Sequence, residues 1–224
     1  MDLRNQIVQA FTRDARGLCG QHDPVQVLKS VQGVEQRLGL ITLGSVLNTN
    51  PLSREQWAQL VALSEHWLMQ PEQVAYQSSQ QVKGEMEQMK LPVAKHIPRV
   101  WWQISRGVQG RFNGSWREMI RANRDDARKL KNYLQQNRTT FPVLAGAVIS
   151  VRWLDLVHRV GGVPLQGWEA LTVPVPASLK KRIAAFDIDD AVHPVLFNAL
   201  HVWVSACQQL SSKSCGFHPC PKKQ

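Results

Sequence analysis

Arginine and lysine side chains are concentrated in one stretch of this sequence, and their density indicates the binding of anions. The segment from Lys95 to Arg138, called the basic segment below, holds eleven of the 27 Lys and Arg. It contains only three acidic residues, so eleven positive and three negative charges leave +8 of the formal net charge of +10. Each fixed cation that neutralises a phosphate releases condensed counterions. The cluster therefore predicts a polyanionic partner, either DNA or RNA.

Within the basic segment, cations recur at spacings of four and three residues. The pattern Ser115-x-x-Glu118 is typical of a capping box, so we expect a helix from Trp116 to Gln136. On one continuous helix, such spacings place the cations on a single face beside an apolar stripe. A ladder of this kind could follow a phosphate backbone. Its members are Arg117, Arg121, Arg124, Arg128 and Lys131.

The ten residues before this helix, 105–114, combine three glycines with Arg106 and Arg111. We expect them to form a loop, because glycine permits close backbone approach and the following helix N-terminus offers unpaired N–H groups. The segment matches neither the Walker motif nor the dinucleotide-binding pattern, since it lacks their G-K-[ST] and G-x-G-x-x-G spacings.

Two adjacent indoles, Trp101 and Trp102, lie among the cations of the same segment. Single-stranded nucleic acid uses such mixtures of aromatic faces and cations for base stacking, although one of two adjacent indoles on a helix commonly belongs to the core. The full predicted contact set is Arg99, Trp101, Trp102, Arg106, Arg111, Arg117, Arg121, Arg124, Arg128, Lys129 and Lys131.

The sequence contains no recognisable catalytic motif, so we expect a non-enzymatic protein without a cofactor. Ser150, Asp155 and His158 have side-chain types found in nucleophilic triads, but no G-x-S-x-G elbow accompanies them. The carboxylates of Asp187, Asp189 and Asp190 lack the glycine and glutamate of a calcium-binding loop.

Four residues near the C-terminus have side chains that bind zinc. The spacing disfavours a structural zinc site, because the paired C-x-x-C knuckles are absent and one candidate lies on the apolar face of an expected helix. The four residues are Cys207, Cys215, His218 and Cys220.

Helical periodicity dominates the chain, with caps and breakers between the apolar stripes. It predicts a mainly α, compact multi-helix globule of about seven to nine helices, with at most a short β-hairpin near residues 163–176. The expected organisation is an N-terminal helical region at 1–91, the basic segment plus a C-terminal helical core at 92–211, and a flexible tail at 212–224.

The first residues lack the charge and apolar pattern of a secretory signal, and no apolar run approaches the roughly twenty residues of a membrane span. We therefore expect a cytoplasmic protein with no membrane partner, and a layout typical of a bacterial protein. Two other functions fit the sequence. One is a helical subunit of a larger nucleoprotein or ribonucleoprotein complex whose basic patch docks nucleic acid only in the assembly, because eight tryptophans could supply a protein-binding surface. The other is a helix-turn-helix regulator built on the helices between Asp23 and Met69.

Overall fold

The computed structural model describes residues 25–47, 52, 54–91, 93–175, 177–182, 189, 191–194, 196–197 and 200. The chain divides into two compact units. The larger is Pro24–Leu171, and the smaller consists of Met1–Asp23 and Thr172–Gln224. The predicted boundary at residue 92 falls within the larger unit, where residue 92 itself lies outside the described residues. The division at this point stays a prediction, and the 212–224 tail also lies outside the described residues.

Helices make up most of the described chain, which confirms the predicted mainly α fold. The larger unit contains α1 (Val25–Leu28), α2 (Val34–Leu47), α3 (Arg54–Ala62), α4 (Pro71–Tyr76), α5 (Ser79–Gln88), α6 (Ile97–Phe112), α7 (Trp116–Ala122), α8 (Ala127–Gln136) and α9 (Ala147–Val160), with 3₁₀ turns at Trp67–Met69 and Trp168–Ala170. No described helix is long and apolar enough to cross a membrane.

The smaller unit contributes a short helix, α10 (Ala177–Arg182), and two strands, β1 (Val173–Pro174) and β2 (Ala191–Val192). The strands pair antiparallel, with Val173 opposite Val192. One strand thus lies within the 163–176 range expected for a hairpin, and its partner comes later in the chain.

The core of the larger unit is built around α2, in which every residue from Leu38 to Leu47 is buried. This helix packs against α9. At their contact the Trp153 indole donates a 2.9 Å hydrogen bond to Thr42 Oγ1, whose own hydroxyl donates to the Leu38 carbonyl. Because both polar groups are satisfied, they can be buried without the cost of unmade hydrogen bonds.

The prediction of a loop at 105–114 is wrong, because α6 continues to Phe112 and ends at Asn113 in the left-handed conformation. Gly107, one of the three glycines that suggested a loop, serves helix packing instead. A Cβ on Gly107 would lie 2.3 Å from Thr140 Cγ2, whereas a Cβ on Gly110 would meet no atom within 4 Å. Gly107 thus lets α6 approach residues 140–141 closely.

The prediction of one helix from 116 to 136 is also wrong, because α7 ends at Ala122 and α8 begins at Ala127. Arg124 and Asp125 between them have positive φ angles of 62° and 52°, which no α-helix accommodates. A segment that is distant in sequence holds this turn. Gln166 donates its N–H to the Asp125 carbonyl at 2.7 Å and accepts from the Ala127 N–H at 2.9 Å.

The two glycines of α6 give a matched pair of stability tests. We expect Gly107→Ala to lower the free energy of unfolding by about 1–3 kcal/mol, because the added methyl overpacks against Thr140. Gly110→Ala should raise it by about 0.5–1 kcal/mol, because alanine favours the helix and meets no neighbour there. Urea denaturation followed by circular dichroism measures both values, and equal effects at the two positions would contradict the close contact at Gly107.

Candidate functional site

Helix α6 places its apolar and basic residues on opposite faces. Trp101, Ile104 and Val108 are fully buried, while Arg99 and Arg106 are exposed. The two arginines are seven residues apart, about two helical turns, so they lie on one face. Packing of the apolar face therefore determines which side of the helix presents cations to solvent.

Trp101 is a core residue, and its predicted role in base stacking is wrong. Its exposed fraction is 0%, its ring stacks on that of Trp116 with centroids 5.9 Å apart, and its indole donates to the Leu68 carbonyl at 2.9 Å. No face of this indole is open to a ligand.

Trp102 lies at the edge of the same helix and is half-buried. Its indole donates a 2.7 Å hydrogen bond to the Gln77 carbonyl, and the Arg106 guanidinium carbon lies 4.8 Å from its ring centroid. At an exposed site such a cation–π contact contributes roughly 0.5–1 kcal/mol. The contact positions the guanidinium of Arg106 but leaves its positive charge uncompensated.

Arg111 is fixed by three neutral groups from the end of α8 and the turn after it. Its guanidinium donates to Tyr133 Oη at 3.1 Å, Asn137 Oδ1 at 2.6 Å and Thr140 Oγ1 at 3.3 Å. These bonds use three of the five guanidinium N–H groups and supply no negative charge. Arg111 is thus held in place with its charge and two donors still available.

Arg138 joins this surface although the sequence patterns did not single it out. It is exposed and precedes Thr139, whose carbonyl accepts a hydrogen bond from the Gln103 side chain of α6. Gln103 lies one turn from both Arg99 and Arg106. We call the four residues Arg99, Arg106, Arg111 and Arg138 the α6 basic surface. None of them forms an ion pair with a carboxylate in the described part of the chain.

The three carboxylates of the basic segment all bond to neighbouring groups around the turn between α7 and α8. Arg117 makes a bidentate ion pair with Asp125. This contact holds the pKa of Asp125 below its ordinary value. Arg121 pairs with Glu118. Arg124 is exposed in the turn itself. The local charge is therefore lower here than on the α6 basic surface.

The three remaining cations of the predicted contact set are divided between the two flanks of α8. Its buried face consists of Ala127, Leu130 and Leu134. By helical geometry, Arg128 and Lys131 lie on one flank, and the Arg128 side chain approaches Gly167. Lys129 lies on the other flank, one turn before Tyr133 and hence toward Arg111.

The N-terminus of α7, expected to suit an anionic ligand, already holds an internal carboxylate. Glu35 accepts hydrogen bonds from the N–H groups of Trp116 at 2.9 Å and Arg117 at 3.0 Å, and from the Ser115 hydroxyl at 2.6 Å. The Ser115 cap itself is confirmed, because its hydroxyl accepts from the Glu118 N–H. The helix end is satisfied within the protein and leaves no phosphate-binding loop.

The candidate catalytic residues of α9 do not assemble into a triad. Buried Asp155 pairs with Arg159 at 2.7 Å. His158 accepts the Leu165 N–H at its Nδ1 and stacks on Trp168 with ring centroids 4.4 Å apart. These contacts give both side chains structural roles.

Among the described residues, no group of three or more His, Cys, Asp or Glu is placed to hold a metal ion. The candidate zinc ligands Cys207, Cys215, His218 and Cys220 lie outside the described residues, as do Asp187 and Asp190.

Comparisons with protein-family models, curated proteins and solved structures find no match to this chain. Its function must therefore be inferred from the geometry of the site.

Asp126 starts α8 by accepting the N–H groups of Arg128 at 2.9 Å and Lys129 at 3.0 Å. The Lys129 bond, together with the weaker contribution of Arg128, lowers the pKa of Asp126 from its ordinary 3.8. A carboxyl with a depressed pKa in the folded state stabilises the fold above its unfolded pKa, and this contribution is lost as the pH falls through the folded-state pKa.

We expect Asp126→Ala to lower the free energy of unfolding by about 1 kcal/mol near neutral pH, because two helix-terminal donors lose their acceptor. Asp126→Asn, which keeps an acceptor oxygen, is the control and should lose less. The difference between wild type and Asp126→Asn should shrink below pH 3.8, as the carboxyl is protonated. Urea titrations at neutral and acidic pH measure this, and a pH-independent difference would contradict the role of the ionised carboxylate.

Proposed function

We propose that this protein binds nucleic acid without catalysing a reaction, and that the α6 basic surface contacts the phosphate backbone. The observation behind the proposal is the set of exposed arginines, Arg99, Arg106, Arg111 and Arg138, on adjoining segments with no described carboxylate paired to them. An exposed arginine that lacks a carboxylate partner can form charge-assisted bonds to a phosphate without first breaking an ion pair.

The main contact then lies on α6 rather than on the predicted row of cations from Arg117 to Lys131. Arg117 and Arg121 each lie against a carboxylate that lowers the local positive charge and repels a phosphate, so they offer less net gain on binding. Arg124, Arg128, Lys129 and Lys131 remain cations that a bound strand could reach, with Lys129 on the flank of α8 that carries Tyr133, the partner of Arg111. Contacts of this type recognise charge and spacing rather than base sequence.

The test compares two variants with the same loss of charge. Arg99→Gln/Arg106→Gln/Arg138→Gln removes three cations of the α6 basic surface, and Arg124→Gln/Arg128→Gln/Lys131→Gln removes three from the turn and the opposite flank of α8. We expect the first variant to bind short oligonucleotides about 10- to 100-fold more weakly and to lower the magnitude of the log–log salt slope by about 2 to 3, because three counterion-releasing contacts are lost.

Fluorescence anisotropy from about 50 to about 300 mM salt measures both quantities, and circular dichroism checks that both variants are folded. The matched control should keep most of the wild-type affinity, since it has the same net charge as the first variant. Equal losses in the two variants would show a diffuse charge effect and contradict a localised surface. A wild-type protein that binds no nucleic acid would contradict the proposed function itself.

The two alternative functions lose part of their support. Trp57, Trp101, Trp116 and Trp153 are at most 3% exposed, so these tryptophans serve the core rather than a surface for another subunit. In the region expected for a helix-turn-helix, α2 is buried from Leu38 onward, and the sequences of the described helices there hold Arg37 and Arg54 as their only cations. We therefore propose the free protein as the binding unit, and we propose the bacterial cytoplasm as its location, as the sequence predicts.

A further inference from the structure

A polar groove of about 440 Å³ lies between the 3₁₀ turn at Trp67–Met69, α4 and α5. Its volume is within the range of small-ligand sites. The groove is lined by four glutamines (Gln73, Gln77, Gln81 and Gln88), by half-buried Trp67, by Gly84 and by Glu85.

The chemistry of the lining favours a neutral, planar ligand with both donors and acceptors on its edge. An amide offers one acceptor and two donors, the combination that pairs with the edges of nucleobases. The side-chain oxygen Oε1 of Gln81 accepts from the Ser78 N–H at 2.8 Å, which orients this side chain and leaves its NH₂ group for a ligand. Trp67 adds a π-face of the kind on which bases stack.

The same lining disfavours a phosphate. Among the described residues around the groove, Glu85 alone is charged, and it lies 3.3 Å from His66 Nε2. A phosphate would meet a carboxylate and no cation. The groove and the α6 basic surface thus differ in the chemistry that they accept.

Trp102 connects the two regions. Its indole donates to the carbonyl of Gln77, which lines the groove, while its ring lies under the Arg106 guanidinium. A strand whose phosphates contact Arg106 therefore passes next to the groove. In a duplex the bases are paired and stacked, but in a single strand they can turn outward onto a protein surface.

We propose that this groove receives an unpaired base of a single strand held on the α6 basic surface, so that the protein prefers single-stranded to duplex nucleic acid. The inference rests on the proposed function and adds the form of the nucleic acid that is bound. The base stacks on Trp67, and the glutamine amides hydrogen-bond to its edge.

Gly84 offers a way to close the groove without disturbing the fold, because a Cβ at this position meets no atom within 4 Å. Gly84→Phe should fill the space that the base would take, and Gly84→Ala is the matched control with a small side chain. Both residues favour a helix more than glycine does, so α5 should remain intact.

The experiment measures binding of the full 224-residue chain to a fluorescent oligothymidylate and to a duplex of the same length, at one salt concentration and across a salt series. We expect Gly84→Phe to weaken single-strand binding about tenfold or more, because one stacked base is lost. Duplex affinity and the salt slope should not change, since no phosphate contact is removed. Gly84→Ala should bind as wild type, and Trp67→Ala should reproduce the loss.

The two proposals fail in different ways. Single-strand binding that Gly84→Phe and Trp67→Ala leave unchanged, or tighter wild-type binding to the duplex, would overturn the groove while phosphate binding by the α6 basic surface could still hold. Wild-type protein that binds neither oligonucleotide would overturn both. A Gly84→Phe variant equally weakened toward single strand and duplex would also overturn the groove as a site for an unpaired base.

Discussion

The burial of Trp101 is the constraint on which the candidate site depends. Its indole stacks on Trp116 and donates to the Leu68 carbonyl, so one side chain fixes α6 against both the 3₁₀ turn and the start of α7. Once this face is buried, helical geometry places Arg99 and Arg106 in solvent and brings Trp102 to the edge of the helix. The part of the α6 basic surface that Arg99 and Arg106 form is therefore the outer side of a helix whose inner side packs in the core.

The distribution of acids decides where the positive charge remains uncompensated. Asp125 and Glu118 pair with arginines around the turn between α7 and α8, while Asp126 caps α8 and Glu35 caps α7. Each of these carboxylates satisfies cations or helix-terminal donors. Arg111 of α6 is instead positioned by neutral oxygens of Tyr133, Asn137 and Thr140, so its charge stays available. Arg117 and Arg121 therefore lie beside carboxylates, whereas Arg111 of the same basic segment is held by neutral groups.

Local signals in the sequence predicted the helical class and the Ser115 cap, because periodicity and capping depend on residues that are close along the chain. Long-range contacts explain why the predictions of a continuous helix and of a loop were wrong. Gln166 stabilises the break at residues 123–126, although the spacing of the arginines continues through it. The three glycines of residues 105–114 suggested a loop, yet one of them, Gly107, serves the contact with Thr140. Arg138 joins the surface because its turn contacts α6 through Gln103 and Arg111, and no local pattern reveals these contacts.

The most direct test of the central claim is to map where a bound strand touches the protein. A photoreactive thiothymidine oligonucleotide, crosslinked at low salt and located by mass spectrometry of the digested protein, reports contacts without any substitution. We expect adducts in peptides that contain Trp67, Trp102 or residues 103–111 and 137–140. Adducts confined to residues 116–131 would contradict the claim, because the strand would then follow the cations of α7 and α8 rather than the surface built on α6.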